Sequence, residues 1–428
     1  MKSVKIKINK LGMIEKSEEI ILNKFMVFSG ESGLGKSYLS TICHYIFAVL
    51  LNDRRISNYF NSEDFNLEKI IPKLKDGPVK RTVSKKDFEN WMSEDAIVWL
   101  GYMVGNSNLA GDVEIILPSS IPDVITFTVS EELVGLGENV ETYVNLQVPG
   151  LTYKIKDSIG LDEESPFAYL FRFYLRQQIF YKFSRLKESY ILPPSRGTMM
   201  TEIVEPLTGM YAEFKKDLQQ MVKAKQDKLE VPNKLKSLIR TILDGHVDRK
   251  EGKYVYSTNG AEIPLSAAAA SIRELASLEF VVNNSDISSI SIMIDEPEAH
   301  LHPLKQRMMA DILTCLVEAG SYIQVTTHSD YFLRRINELV LKFRLKEKCK
   351  NDIKSYYEAC DMLDENPDVV LDPASVSAYL LKRCGNNGSE IIRQNMDNGI
   401  SFASFYEALD SSLRKKNTLE KLLNDDND

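Results

Sequence analysis

Hydrophobic and polar positions change their period along the chain. Near the start, Val4, Ile6 and Ile8 alternate with lysines, the period of two that marks a half-buried strand. Glu19-Ile20-Ile21-Leu22 predicts a second short strand. Phe25-Met26-Val27-Phe28 predicts a third, whose unbroken apolar run suits burial on both faces. Residues 38–51 are apolar, helix-length and free of Gly and Pro, and predict a buried helix. Residues 53–94 are polar and charged, contain Pro72 and Pro78, and read as a surface excursion. Strand-like runs follow at 96–104, 113–117, 124–129, 143–148 and 153–155, separated by Gly, Asn, Asp and Pro, a spacing that predicts an antiparallel sheet.

After Ser165-Pro166 the period becomes helical. Residues 167–186 carry aromatics at helical intervals, and 201–245 place Ile203, Leu207, Met210, Tyr211, Phe214, Leu218 and Met221 on a 3.6-residue repeat. Between them, Ile191-Leu192-Pro193-Pro194-Ser195-Arg196-Gly197 is too Pro-rich for a helix interior. Residues 267–278 predict a helix with a small-residue start, and Ser266 stands at its N-cap position. Ile290-Ser291-Ile292-Met293-Ile294 predicts a buried strand that ends in Asp295 and Glu296. A helix over 304–318 leads to a second buried strand, 321–327, which ends at His328.

One stretch adds chemistry to this pattern. Gly30-Glu31-Ser32-Gly33-Leu34-Gly35-Lys36-Ser37 matches the phosphate-binding loop G-x-x-x-x-G-K-[ST], and it has the strand before it and the helix after it that the motif requires. Gly33 and Gly35 let the backbone turn its N–H groups inward, and the helix N-terminus adds positive potential, so the loop suits a polyphosphate such as ATP. Lys36 would reach the terminal phosphates, and Ser37 would ligate Mg2+. Asp295 can hold the same metal, Glu296 can take a proton from attacking water, and His328 can hydrogen-bond the γ-phosphate.

Composition narrows the class. In 428 residues, 43% hydrophobic and 27% charged content is that of a globular protein with room for two domains or one domain with an insertion. No apolar run reaches membrane-span length, so the expectation is a cytoplasmic protein without membrane contact. The five cysteines are dispersed and form no CxxC or Cys/His cluster, which argues against a disulfide framework and a zinc site. A net charge of −8 disfavours general nucleic-acid binding, which leaves local basic clusters as possible DNA contacts. The densest of these is Lys342, Arg344, Lys346, Lys348, Lys350 and Lys354.

The constellation resembles the ABC/SMC-like ATPases. Residues 30–37 are similar to Walker A, 290–296 to Walker B with its catalytic glutamate, Leu301-His302-Pro303 to the D-loop region, and Thr327-His328 to the switch histidine. The wording Ile294-Asp295-Glu296-Pro297-Glu298, with Thr326-Thr327-His328-Ser329, is similar to bacterial ATPases of OLD and defence-system type. So are 191–196 and Val376-Ser377-Ala378-Tyr379-Leu380-Leu381. The resemblance implies an α/β ATPase head, with a mostly parallel sheet and an antiparallel β edge, carrying a large β-then-helical insertion. Its implied boundaries are 1–51 and 260–428 for the head and 52–259 for the insertion, with strands near 96–155 and a helical arm near 166–250. It further implies nucleotide contacts by Gly30, Glu31, Ser32, Gly33, Gly35, Lys36 and Ser37, metal contacts by Ser37 and Asp295, and catalysis by Glu296 and His328. Heads would pair as a homodimer or higher oligomer, with Ser266 or Ser271 of one head completing the site of the other. The family context implies a sensor or regulator in antiphage defence with a separate nuclease or toxin effector. A repair ATPase acting on DNA and an ATP-locked scaffold are the alternatives.

Overall fold

Strand Phe25–Gly30 lies in the middle of a ten-stranded mixed sheet, and all six of its residues are buried. The computed structural model describes residues 3–51, 55–134, 141–156, 165–180, 186–201, 205–223, 231–385, 388–401 and 403–425. Across the sheet the order is Glu188–Leu192, Ile290–Asp295, Tyr322–Thr327, Phe25–Gly30, Val376–Cys384, Gly388–Gln394, Ile14–Ser17, Lys5–Leu11 and Ile20–Ile21, with Gly111–Ile116 also paired to Lys5–Leu11. The first five run parallel. The pairs of Lys5–Leu11 are antiparallel, which gives the β edge.

Alternation along the central strands divides the interior into two cores. Phe25 and Val27 join Ile292, Ile294, Ile323, Val325, Val376 and Ala378 on one face. Met26 and Phe28 join Met293, Tyr379, Leu381 and helix Lys36–Leu51 on the other. A strand covered on both faces must be apolar throughout, as the runs at 25–28 and 290–294 are. Each fully buried Ile or Phe contributes about 1.5–3 kcal/mol of transfer free energy, so the sheet centre is a rigid base for whatever its strand ends carry.

The middle of the chain departs from its reading in four places, one of them the run 113–117 expected in the antiparallel sheet, which as Gly111–Ile116 pairs with Lys5–Leu11 in the central sheet instead. The strand expected at 96–104 is the last half of a 20-residue helix, Lys85–Val104, capped by Ser84, which accepts from Asp87 N, and ended by Gly105 at φ 71°. The described part of the expected surface excursion, residues 55–94, is not one: Phe60, Leu67, Ile70, Leu74, Phe88 and Met92 are core residues. Segment 191–197 contributes to strand Glu188–Leu192, which pairs in register with Ile290–Asp295, so this part of the expected insertion belongs to the central sheet. The antiparallel sheet consists of Val79–Ser84, Val124–Val134, Glu141–Val148 and Leu151–Lys156. Helices Pro166–Ile179, Gly209–Lys223 and Asn233–Leu243 follow; the expected helical positions 181–185, 202–204 and 224–230 lie outside the described residues. A three-stranded hairpin sheet, His246–Lys250, Lys253–Thr258 and Ala261–Pro264, precedes helix Ala270–Asn284.

Candidate functional site

The phosphate loop leaves strand Phe25–Gly30 and enters helix Lys36–Leu51. Two of its glycines are dictated by space as well as by angle. A Cβ on Gly30 (φ 133°) would stand 2.3 Å from Leu381 O, and one on Gly35 (φ 95°) 2.9 Å from Ile14 Cγ1. At Gly33 (φ 78°) a Cβ would meet nothing within 4 Å, which leaves the outer side of the loop open to a ligand. The Glu31 side chain instead turns to Arg383, 2.8 Å away on strand Val376–Cys384.

Lys36 is 6% exposed. Its Nζ donates to Gly30 O at 3.0 Å and Glu31 O at 2.8 Å and lies 2.7 Å from His328 Nε2. Burial draws its pKa down to about 8, against the pull of Glu296, Asp295, Glu298 and Glu31. His328 is also held below its ordinary value, first by burial and then by the Lys36 charge. A neutral imidazole can therefore accept from the ammonium. Ser32 Oγ lies 3.3 Å from the same Nε2.

Strands Ile290–Asp295 and Tyr322–Thr327 run parallel and end side by side, as carboxyl edges of open α/β sheets do at their ligand sites. Ser37 Oγ donates to the Asp295 carboxylate at 3.0 Å, across 258 residues of sequence. Thr326 Oγ1 donates to the same carboxylate. The next peptide turns sharply: Glu296 has φ 48°, a left-handed conformation that costs a non-glycine residue on the order of 1 kcal/mol. Glu296 N donates to Thr326 O and Oγ1, each at 3.2 Å. Its carboxylate stands 3.5 Å from His328 Nε2.

Three residues without an assigned role in the sequence complete this corner. Thr326 braces Asp295 and Glu296. Glu298, 6% exposed, accepts from Thr327 Oγ1 at 2.6 Å and His328 N at 2.8 Å, and its Oε2 has no partner. Arg196, 1% exposed, donates to Asp295 O at 3.1 Å. The only sequence signal for them is their place within or beside the recognised motifs.

Ser266 stands apart from these. It is exposed in a short 3-10 turn, Leu265–Ala267, while the helix begins at Ala270 with Ala269 as its uncapped N-terminal neighbour, so Ser266 is not the expected N-cap. Ala268 and Ala269 have extended backbone (ψ 161° and 151°), which separates turn from helix. Ser271 lies in the first turn of helix Ala270–Asn284. The basic cluster is partly committed elsewhere: Lys342 pairs with Glu365, Arg344 with Asp397 and Lys354 with Glu358. Among the described residues no helix is long and apolar enough to cross a membrane.

Residues 174–333 match the family model of an AAA ATPase domain. The match takes in Asp295, Glu296 and His328 but begins well after the phosphate loop, which the sheet brings to them. Fold, loop and family match together define the class: the chain is an α/β P-loop ATPase. A search of curated proteins found no match. Among solved structures, similarity extends to an Smc head bound to the C-winged helix domain of ScpA (10% identity, 93% of this chain and 98% of that one, TM-score 0.35). It extends also to the SMC head domain from Thermotoga maritima (13%, 92% and 100%, TM-score 0.33). A third is an Smc head domain with an extended coiled coil bound to the C-terminal domain of ScpA derived from Pyrococcus furiosus (10%, 95% and 98%, TM-score 0.37).

Proposed function

We propose that the chain binds ATP with Mg2+ at loop 30–37 and hydrolyses it with Glu296 as general base. The observation that carries this reading is the meeting of two distant motifs: Ser37 Oγ lies 3.0 Å from Asp295, and Lys36, His328 and Glu296 form a chain of contacts of 2.7 and 3.5 Å beside them. The donor set fits its ligands. A hydroxyl and a carboxylate are the hard oxygen donors that Mg2+ takes, with phosphate and water completing its shell. A buried ammonium, an open glycine loop and a helix N-terminus suit a polyphosphate. Bound there, the metal supplies charge neutralisation on the phosphates.

The residues divide the work. Lys36 exchanges its contact with His328 for phosphate oxygen. Glu296 accepts a proton from the attacking water as the oxygen bonds to the γ-phosphorus and the bond to the β,γ-bridging oxygen breaks. His328, neutral and beside Glu296, can donate from its other ring nitrogen or orient the water. Replacing Lys36 with Ala is expected to abolish ATP binding. Glu296→Gln is expected to bind ATP normally and to lower turnover 10²–10⁴-fold. Equilibrium binding of ATP and steady-state phosphate release check both; turnover in Glu296→Gln within threefold of wild type would remove the base.

From the resemblance of 191–196, 294–303 and 326–329 to defence-system ATPases, we infer that ATP closes pairs of heads and hydrolysis opens them, in a sensor or regulator of antiphage defence that acts with a separate nuclease or toxin effector. Phage challenge of cells expressing the chain with its neighbouring gene tests this: protection should vanish with Lys36→Ala. DNA-stimulated turnover without a partner would favour the repair reading instead.

A further inference from the structure

The Pro-rich turn after strand Glu188–Leu192 ends in Arg196, the largest of the fully buried side chains among the described residues. Burying a guanidinium is costly unless its donors are used and its charge is balanced. Arg196 Nε donates to Glu274 O at 3.1 Å, and Nη1 to Pro193 O at 3.3 Å and Asp295 O at 3.1 Å. The Glu274 carboxylate stands 3.8 Å from Nη1 and also accepts from Gly197 N at 3.2 Å. One side chain thus joins three elements: its own turn, helix Ala270–Asn284 and the end of strand Ile290–Asp295. Filling the core alone would not require a cation, since an apolar side chain of similar volume does so without desolvating a charge.

The Asp295 carbonyl belongs to the peptide that leads into Glu296. On its other side the same peptide is held through Glu296 N, which donates to Thr326 O and Oγ1. Both ends of one peptide plane are therefore gripped, immediately before the residue at φ 48°. Released from either grip, that residue would relax toward ordinary backbone angles and carry its carboxylate away from His328.

We propose that Arg196 is a positioning residue for hydrolysis: its guanidinium clamps the Asp295–Glu296 peptide, holds Glu296 in its left-handed conformation, and ties that conformation to helix Ala270–Asn284. The proposal rests on the reading of Glu296 as general base. It makes the base responsive to the helix, because a shift of Glu274 pulls on the guanidinium that holds the Asp295 carbonyl.

Arg196→Lys tests it. The ammonium keeps the charge and most of the stem but lacks the planar fork that spans Glu274 O and Asp295 O. ATP affinity should stay within about threefold of wild type while kcat falls about 10–100-fold, the scale of a misplaced catalytic group. Because Arg196 acts through Glu296, adding Arg196→Lys to Glu296→Gln should lower the residual turnover by less than about twofold, whereas independent effects would multiply. Arg196→Met, apolar and of similar volume, should fold with a cooperative melt and show the same split between affinity and kcat. An unimpaired kcat in both folded variants, a loss of affinity as large as the loss of kcat, or a multiplicative double mutant would overturn the proposal. So would failure of both variants to fold, which would make Arg196 a core residue only. Undiminished turnover in Glu296→Gln alone would instead defeat the base assignment, whatever Arg196 does.

Discussion

Glu298 shows how much of the corner depends on groups that touch no ligand. Its Oε1 accepts from Thr327 Oγ1 and His328 N, and burial pushes its carboxyl pKa up against the pull of these two bonds. Glutamine keeps an oxygen acceptor in that place. Glu298→Gln is therefore expected to keep kcat within about threefold of wild type. Glu298→Ala leaves two buried donors unpaired, at a cost of about 1–3 kcal/mol each, and should both lower the melting temperature and reduce kcat about tenfold. Phosphate release and thermal unfolding, measured on both variants, check the contrast; equal losses in the two would mean that the acceptor oxygen is not what matters. At this scale the sequence was informative where residue types at a fixed spacing mark a motif: Ser37 and Asp295, singled out on that ground, lie 3.0 Å apart. It was silent on Arg196, because nothing in Pro-Pro-Ser-Arg says that the guanidinium turns inward.

Among the elements, helix Lys85–Val104 illustrates why local pattern failed. Its buried positions Phe88, Met92, Ala96, Trp99, Leu100 and Met103 follow a helical repeat. Val98 and Tyr102, however, are 64% and 48% exposed, and their apolar side chains fill the gaps in that repeat, so 96–104 reads as a continuous strand-like run. Strands Phe25–Gly30 and Ile290–Asp295 were legible because both faces are covered and no polar position interrupts them. Helix Ala270–Asn284 carries a further test. Glu279, 5% exposed, accepts from Val247 N at 2.7 Å and joins this helix to the hairpin sheet. Burial pushes its pKa up to about 7. Between the ordinary carboxylate value and that figure the folded chain holds a proton that the unfolded chain has lost, so stability declines as pH rises through this window, by roughly 1.4 kcal/mol per unit of pKa difference. Glu279→Gln keeps an acceptor for Val247 and removes the titration. Denaturant unfolding should show the variant gaining on wild type between pH 5 and pH 8; parallel pH profiles would contradict the linkage.

For the whole molecule, the proposed pairing of heads would complete each site with a residue of a second chain. Ser266 is exposed on a turn beyond the hairpin sheet, and Ser271 lies in the first turn of helix Ala270–Asn284. If heads pair as proposed, mixing Lys36→Ala with Ser266→Arg should restore up to one working site per mixed dimer, while each variant alone stays inactive. Phosphate release measured on mixtures whose mixed dimers are verified by differential tagging decides this. No recovery would mean that each head works alone or that Ser271 is the serine concerned.

The central position of strand Phe25–Gly30 also has a consequence for biogenesis. Its neighbours Tyr322–Thr327 and Val376–Cys384 are made long after it, and the contact of Ser29 with Tyr379 spans 350 residues. At about 5–20 residues per second, synthesis takes on the order of 20–70 s to cover that distance. For most of that interval, until Tyr322–Thr327 is made, an apolar strand that ends as the middle of the sheet has neither of its hydrogen-bonding partners, so the nascent chain depends on chaperones, or on temporary local pairing, to reach its native register.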